Sequence, residues 1–272
     1  MITADTQADF QKRIFIEKAY QEKLSAIARQ IEKIIKTTRP EFLITRLSQY
    51  SNALSKYASN AAHTLIYNLN KQSIEQWQKQ GKQINNLLKQ ELKSNEINRL
   101  MNIYKDQNIS LIQSLPLDAA KRTYKILTEG YVSGARFENL VDKIQRIGQI
   151  SSNRATLIAR TETSKISTAL TQARSKVLGL DWYVWRTSQD VRVRDSHYLM
   201  SRVIVNWNEP PAPEQLKGIN SKLGHYHAGN CPNCRCYAQP VIDINDVKWP
   251  CKVYFNGKLV TMTRTQFEKI AA

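Results

Sequence analysis

Thirteen consecutive residues, "GHYHAGNCPNCRC" at 224–236, hold two of the chain's four histidines and three of its four cysteines. Imidazoles and thiolates are the ligands of tetrahedral zinc, and Cys231-Pro-Asn-Cys234 has the two-residue spacing by which a tight turn aims two sulfurs at one ion. Cys236 follows two residues later. If Cys234–Cys236 open a strand, both side chains leave on the same face, and His225 and His227 share that alternation. His227, Cys231, Cys234 and Cys236 would supply four ligands locally, and His197 could replace one of them from upstream. A disulfide from Cys231 or Cys251, or plain packing in a thin β-domain, accommodates the same residues; a Cys234–Cys236 bridge would be strained. Zinc is therefore expected only as a structural cofactor, with a disulfide and simple packing still open, and no second cofactor is indicated.

The pattern does not spell a catalytic centre. Zinc deaminases pair an H-x-E with P-C-x-x-C, and "HYH" offers no glutamate there. Nothing beside the cysteines builds an oxyanion hole for a thiol nucleophile. The enzymatic alternative is a metal-dependent hydrolase acting on nucleic acid, with Asp190, Asp195 or His197 of "SQDVRVRDSH" at an ion. Arg192 and Arg194 alternate in that stretch, suited to gripping phosphate or to neutralising Glu162. A buried arginine–glutamate pair holding a turn accounts for them equally well.

The elements that must position these residues fall into two grammars. Ile16, Tyr20, Leu24, Ile27, Ile31 and Ile34 form one helical stripe from near Thr6 to before Pro40. Pro40 suits the first turn of a second helix, along which Leu43, Leu47, Tyr50, Leu54, Tyr57, Ala61 and Leu65 recur toward Trp77. His63 reads as a surface or packing histidine, and Gly81 as a break. Helical patterns follow at "INNLLKQELKSNEINRLMNIY", "PLDAAKRTYKILTEGYV" and "RFENLVDKIQRIGQI". Residues 151–179 form another helix, capped by Ser151 or Ser152 and ended by Gly179. Its stripe is Ile158, Glu162, Ile166, Ala169, Ala173 and Val177, in which the acid needs a partner or a solvated edge.

Beyond Gly179 the pattern turns to β at "WYVWRTS", "RVIVNW" and "CYAQPVIDI". Asn256-Gly257 marks a type I′ hairpin, with a short helix after it. Pro210, Pro211 and Pro213 make a loop between strands. The expected class is α+β: a long helical N-terminal region, then a small module of short antiparallel strands and a C-terminal hairpin. The expected divisions are 1–114, 115–248 and 249–272.

Forty Lys and Arg stand against 23 Asp and Glu, a net charge of +17 spread over both halves. Such a chain is attracted to polyanions by counterion release, without reading sequence. The opening "MITADTQADF" has no basic leader or apolar h-region, and no run is long enough to span a membrane, so a soluble chain made in the cytosol and no membrane partner are expected. Four cysteines in that setting argue against a disulfide framework.

The order of motifs carries a resemblance. "ARTET" late in a helix, "WYVWRTSQD", "DVRVRDSH", a proline-bearing loop, "CPNCRC" and "YAQPV" together resemble the phage head-morphogenesis family, minor head proteins similar to protein F of phage Mu, over about 115–242. Arg160, Thr161 and Glu162 match its helical motif. Asp190, Arg192, Arg194 and His197 match its D-x-R-x-R-x-x-H run, and Cys234, Arg235 and Cys236 its C-R-C. Cys231 and the His225/His227 pair go beyond the usual pattern. The resemblance implies a minor capsid protein made in the bacterial host cytoplasm and present in few copies inside the head near the portal. It implies binding to portal protein, to a major capsid or scaffolding protein, and to double-stranded DNA, with help in assembly, packaging or ejection. It implies no catalytic residues; Arg160, Glu162, Asp190, Arg192, Arg194 and His197 would form a structural polar network.

Overall fold

The computed structural model describes residues 4–79, 95–136, 138–188 and 192–271. Their order is α1 Ala4–Thr37, α2 Pro40–Ala53, α3 Ser55–Gln78, α4 Asn95–Val132, α5 Glu138–Val177, β1 Trp182–Arg186, α6 Asp195–Leu199, β2 Ile204–Asn206, α7 Pro213–Leu216, β3 Tyr237–Pro240, a 3-10 turn Ile244–Asp246, β4 Cys251–Phe255, β5 Lys258–Met262 and α8 Arg264–Ala271. The class is α+β, as expected. No described helix is long and apolar enough to cross a membrane.

Two compact units form, one of Met1–Gln72 with Arg99–Thr163, the other of Ser73–Asn98 with Ser164–Ala272. The divisions expected at 114 and 248 do not coincide with these. Residue 114 lies inside α4, and β4 pairs with β2, which ties the hairpin to the sheet.

In the first unit the buried face of α1 carries Tyr20, Leu24, Ile27, Ala28, Ile31 and Ile35, with Arg13 and Glu17 continuing it at the N-terminal end. Ile16 and Ile34 of the expected stripe are only half-buried, since the true face is rotated by one residue at both ends. The single helix expected after Pro40 is interrupted at Leu54. Its N–H still reaches the Tyr50 and Ser51 carbonyls, and Ala58 bonds back to Leu54, so the stripe continues with little offset. His63 is exposed and stacks on Tyr67 at 6.2 Å. Gly81 and most of the next helical pattern lie outside the described residues.

Two expected helix starts are helix interior. Pro116 sits within α4, where the lost hydrogen bond costs about 3 kcal/mol. Burial of Ile112, Leu115 and Ala119 on either side outweighs it. Ser151 and Ser152 do not cap; both lie inside α5. Leu140, Ile144 and Ile147 lead through buried Ser151 to Ala155 and Ile158, an unbroken helical repeat that overrides the weak propensity of Gly and Ser. Gly148 belongs to that face, since a Cβ there would come within 2.9 Å of Glu32 Cγ. At the other end Gly179, with φ +66°, closes a Schellman motif: its N–H reaches Lys176 O at 3.2 Å and Leu180 N–H reaches Ser175 O at 2.8 Å.

The second unit is built on a five-stranded sheet in the order β3-β1-β2-β4-β5. Pairing is antiparallel except between β2 and β4, which run parallel and meet at Ile204 and Val253. Antiparallel pairing thus dominates, as expected; β2 and β4 are the exception because the chain crosses over between them through α7 and β3 rather than through a hairpin. Asn256 and Gly257, with φ of 49° and 75°, make the expected two-residue turn. Alternation in β1 sorts the sheet's faces. Trp182 and Val184 face Phe267 of α8 and Met262, while Tyr183 and Trp185 face Trp207, Tyr226 and the three clustered cysteines.

Replacing fully buried Leu47 with Ala is expected to cost about 2–5 kcal/mol, whereas Phe42→Ala on the exposed face of the same helix should change stability by less than about 0.5 kcal/mol. Urea unfolding of the two variants checks the assignment of that face.

Candidate metal centre

His197 comes from α6, a single turn that buries Ser196 and His197 while Tyr198 stays exposed. The cysteines come from the turn and extended segment that lead into β3. The turn closes with Cys234 N–H on Cys231 O at 3.2 Å, and Asn233 takes φ 60°. Burial then alternates, with Cys234, Cys236 and Ala238 inside and Arg235 and Tyr237 half-exposed, which puts both sulfurs on one face.

His197 Nδ1 stands 3.4 Å from Cys234 Sγ and 3.4 Å from Cys236 Sγ. The three ligand atoms lie within 4.8 Å of one another and all three residues are buried. Cys231 is also buried and accepts a hydrogen bond from Arg194 Nη1, while Arg194 Nη2 donates to Pro232 O at 3.0 Å. Cys236 N–H donates to Cys234 Sγ at 3.3 Å. None of the four cysteines forms a disulfide, and half-buried Cys251 stays outside the group, its thiol pushed up to about 11 by burial.

Behind the histidine runs a chain of polar contacts. Tyr226 Oη gives its only proton to Glu214 Oε2 at 2.6 Å, so at its 2.9 Å contact with His197 Nε2 it must accept. Ser196 Oγ donates to the other oxygen of Glu214 at 3.0 Å. Burial favours the neutral Glu214 acid. The hydrogen bond from Tyr226, helped by Ser196 and His197, outweighs it and holds the carboxyl below its usual value. Burial likewise opposes charge on His197, but hydrogen bonds and charge from Cys231 and Cys234 carry it up to about 9. The Cys234 thiol is held well below its ordinary value, first by Cys236 and then, against burial, by His197. With Nε2–H committed to Tyr226, Nδ1 and the sulfurs face a point that calls for one positive charge.

The loop that carries the cysteines is fastened to α5. Ser164 Oγ donates to Cys234 O at 2.8 Å and Thr168 Oγ1 to Ala228 O at 2.6 Å. Gly229 lies between them with φ +92°; a Cβ there would come within 2.5 Å of Thr168 Oγ1 and 3.0 Å of Cys236 O.

Other residues singled out by the sequence are placed differently. His227 is buried, but its Nδ1 meets Tyr183 Oη at 3.1 Å and its ring packs edge-on to Trp207 at 5.1 Å, so it is not in the group. His225 is on the surface side, with Nδ1 at 2.9 Å from Pro210 O. Of the expected polar set, Arg160 pairs with Glu17 at 3.4 Å and Glu162 accepts from Asn108 Nδ2 at 3.4 Å, both within the first unit. Asn108 in turn accepts from Tyr20 at 2.9 Å. Glu162 is 5% exposed, so it does not lie on a solvated edge. Arg194 and His197 take their partners in the second unit, and Arg192 lies on an exposed turn. Asp190 lies outside the described residues. Asp195 is exposed at the start of α6, and no carboxylate among the described residues joins the histidine–cysteine group. The hydrolase alternative therefore gains nothing from the site. Tyr226, Glu214, Ser164 and Thr168 do not stand out in the sequence, although the tyrosine lies between two histidines and the two hydroxyls recur four apart on a helix.

Compared with known proteins, residues 121–239 match the family described as Phage Mu protein F like protein. Over this segment the chain is similar to the phage head-morphogenesis family. The chain is 34% identical over 139 residues to an uncharacterized protein of Haemophilus influenzae, covering 51% of this chain and 29% of that one. It is 27% identical over 150 residues to minor head protein GP7 of Bacillus phage SPP1, covering 53% of this chain and 45% of that one. The chain thus spans less than half the length of either curated relative. No solved structure matches it.

Two measurements probe this region. Tyr226→Phe strips Glu214 of a donor and His197 of an acceptor, and is expected to cost about 1–3 kcal/mol in urea unfolding; an unchanged midpoint would show that Glu214 and His197 find other partners. His227 tests the burial of the loop by pH. Burial, against an opposing hydrogen bond from the Trp207 backbone, lowers it from 6.5 to about 4. As pH falls below 6.5 the unfolded chain takes a proton that the folded one refuses, so stability should drop between about pH 6.5 and pH 4, by about 3 kcal/mol in all. His227→Gln should remove that part of the acid loss, read by unfolding both proteins at a series of pH values.

Proposed function

We propose that this chain is a minor head protein of a tailed phage, carried in few copies inside the capsid near the portal. There it binds portal protein and double-stranded DNA and assists head assembly and DNA packaging or ejection. The observation that carries the reading is the head-morphogenesis segment at 121–239, shared in part with a minor head protein of Bacillus phage SPP1. Charge supports the DNA part: a net +17 with no single basic tail suits neutralisation of phosphates along packed duplex. Exposed apolar side chains support the protein part, with Phe15, Tyr131 and Val132 open to burial against a neighbouring virion protein.

Purified protein is expected to bind duplex DNA of any sequence, with affinity falling by about 10³-fold between 50 and 200 mM salt. Fluorescence anisotropy on unrelated duplexes measures both properties; preference for one sequence, or binding insensitive to salt, would refute the DNA role. Mass spectrometry of purified particles and co-purification with portal protein test the rest, and absence from the particles would end the reading.

A further inference from the structure

The histidine–cysteine corner has more of a metal site than a row of side-chain types. Tetrahedral zinc, with nitrogen at about 2.0 Å and sulfur at about 2.3 Å, holds its nitrogen and sulfur ligands about 3.5 Å apart. His197 Nδ1 meets two sulfurs at 3.4 Å. Its other nitrogen is tied through Tyr226 to Glu214, the outer support that zinc-bound imidazoles use to fix tautomer and ring orientation. Backbone N–H from Cys236 and guanidinium N–H from Arg194 point at sulfur, as donors to thiolates do. The donor set is soft, which selects zinc over magnesium or calcium.

We propose that His197 Nδ1 and the sulfurs of Cys231, Cys234 and Cys236 coordinate one zinc ion, a closed structural site. His197, Cys234 and Cys236 hold three corners. Cys231 supplies the fourth from the same turn, where it is 1% exposed. Charge supports this choice. Zinc with three thiolates and a neutral imidazole carries one net negative charge, and the Arg194 guanidinium on Cys231 balances it, so no lone charge is buried. Four protein ligands leave no position for a substrate or water, so the ion fastens the 224–236 loop between α6 and β3 and does no chemistry.

The test uses the full chain, purified reduced and without chelator. Elemental analysis should find one zinc per chain. Cobalt substitution should give thiolate-to-cobalt charge transfer and the intense visible bands of tetrahedral coordination. X-ray absorption should show three sulfurs and one nitrogen around the metal. Cys234→Ser and Cys236→Ser should weaken zinc binding by about tenfold or more, while Cys251→Ser keeps the full complement. Should the ligand variants fail to fold, zinc content and the cobalt spectrum of the unaltered chain still decide. A reduced chain that holds no zinc and takes up no cobalt overturns the proposal. So does zinc retained in full by both ligand variants, or a metal shell with only two sulfurs.

Discussion

A single point in the second unit makes the strongest demand on the fold. An imidazole nitrogen lies 3.4 Å from each of two sulfurs with nothing apolar between them, deep enough that water cannot screen them. Lone pairs so arranged repel unless a positive charge sits among them, whether a proton or a metal ion. Much of the second unit follows from that requirement. A one-turn helix points His197 inward, an extended lead-in to β3 sends Cys234 and Cys236 to the same face, and α5 holds the loop carbonyls with Ser164 and Thr168.

The sheet shows why such a clasp is useful. Strands of three to five residues bury few large side chains, and one face is shared among Tyr183, Trp185, Trp207, Tyr226 and the cysteines. A small β-region with limited apolar mass is stabilised by fixing its irregular segments, because the loop between α7 and β3 would otherwise lose much entropy on ordering. The first unit also buries polar groups. Glu162 accepts from Asn108, which in turn accepts from Tyr20, and the burial that raises the Tyr20 hydroxyl's pKa is reinforced by the charge of Glu162.

Sequence patterns exposed what local chemistry controls. The 3.6-residue stripe marked α1, Gly179 marked the end of α5 because its positive φ closes the Schellman turn, and Asn256-Gly257 marked the hairpin. What failed was local punctuation inside long packed helices. Pro116, Ser151 and Leu54 all look like ends or interiors when read alone, yet burial on both sides decides how the chain passes each. At the site, residue types and the two-residue spacings were legible, but the choice of histidine was not. His225 and His227 are nearest in sequence, whereas the imidazole that meets the sulfurs is His197, 37 residues before Cys234. Only the pairing of β1 with β2 and β3, which sets α6 beside the approach to β3, brings it there. Tyr226 and Glu214 are invisible for the same reason, since an ordinary tyrosine and a glutamate in a proline-rich loop acquire meaning only through the nitrogen they orient.

The boundaries of the family match bear on what that clasp belongs to. His197, Glu214, Tyr226, Cys231, Cys234 and Cys236 all fall within 121–239, as do Ser164 and Thr168. The hairpin of β4 and β5 and the helices α1 to α3 fall outside it. The segment therefore contains the whole apparatus that orients the histidine and seats the cysteine loop, and nearly all of three of the five strands that carry it. The hairpin extends the sheet on the far side of β2, away from β3 and the cysteines. Changes confined to the hairpin can alter the sheet's outer edge without moving a ligand atom, while a shift of α5 by one residue would swing Ser164 and Thr168 off the loop carbonyls and release the sulfurs from His197.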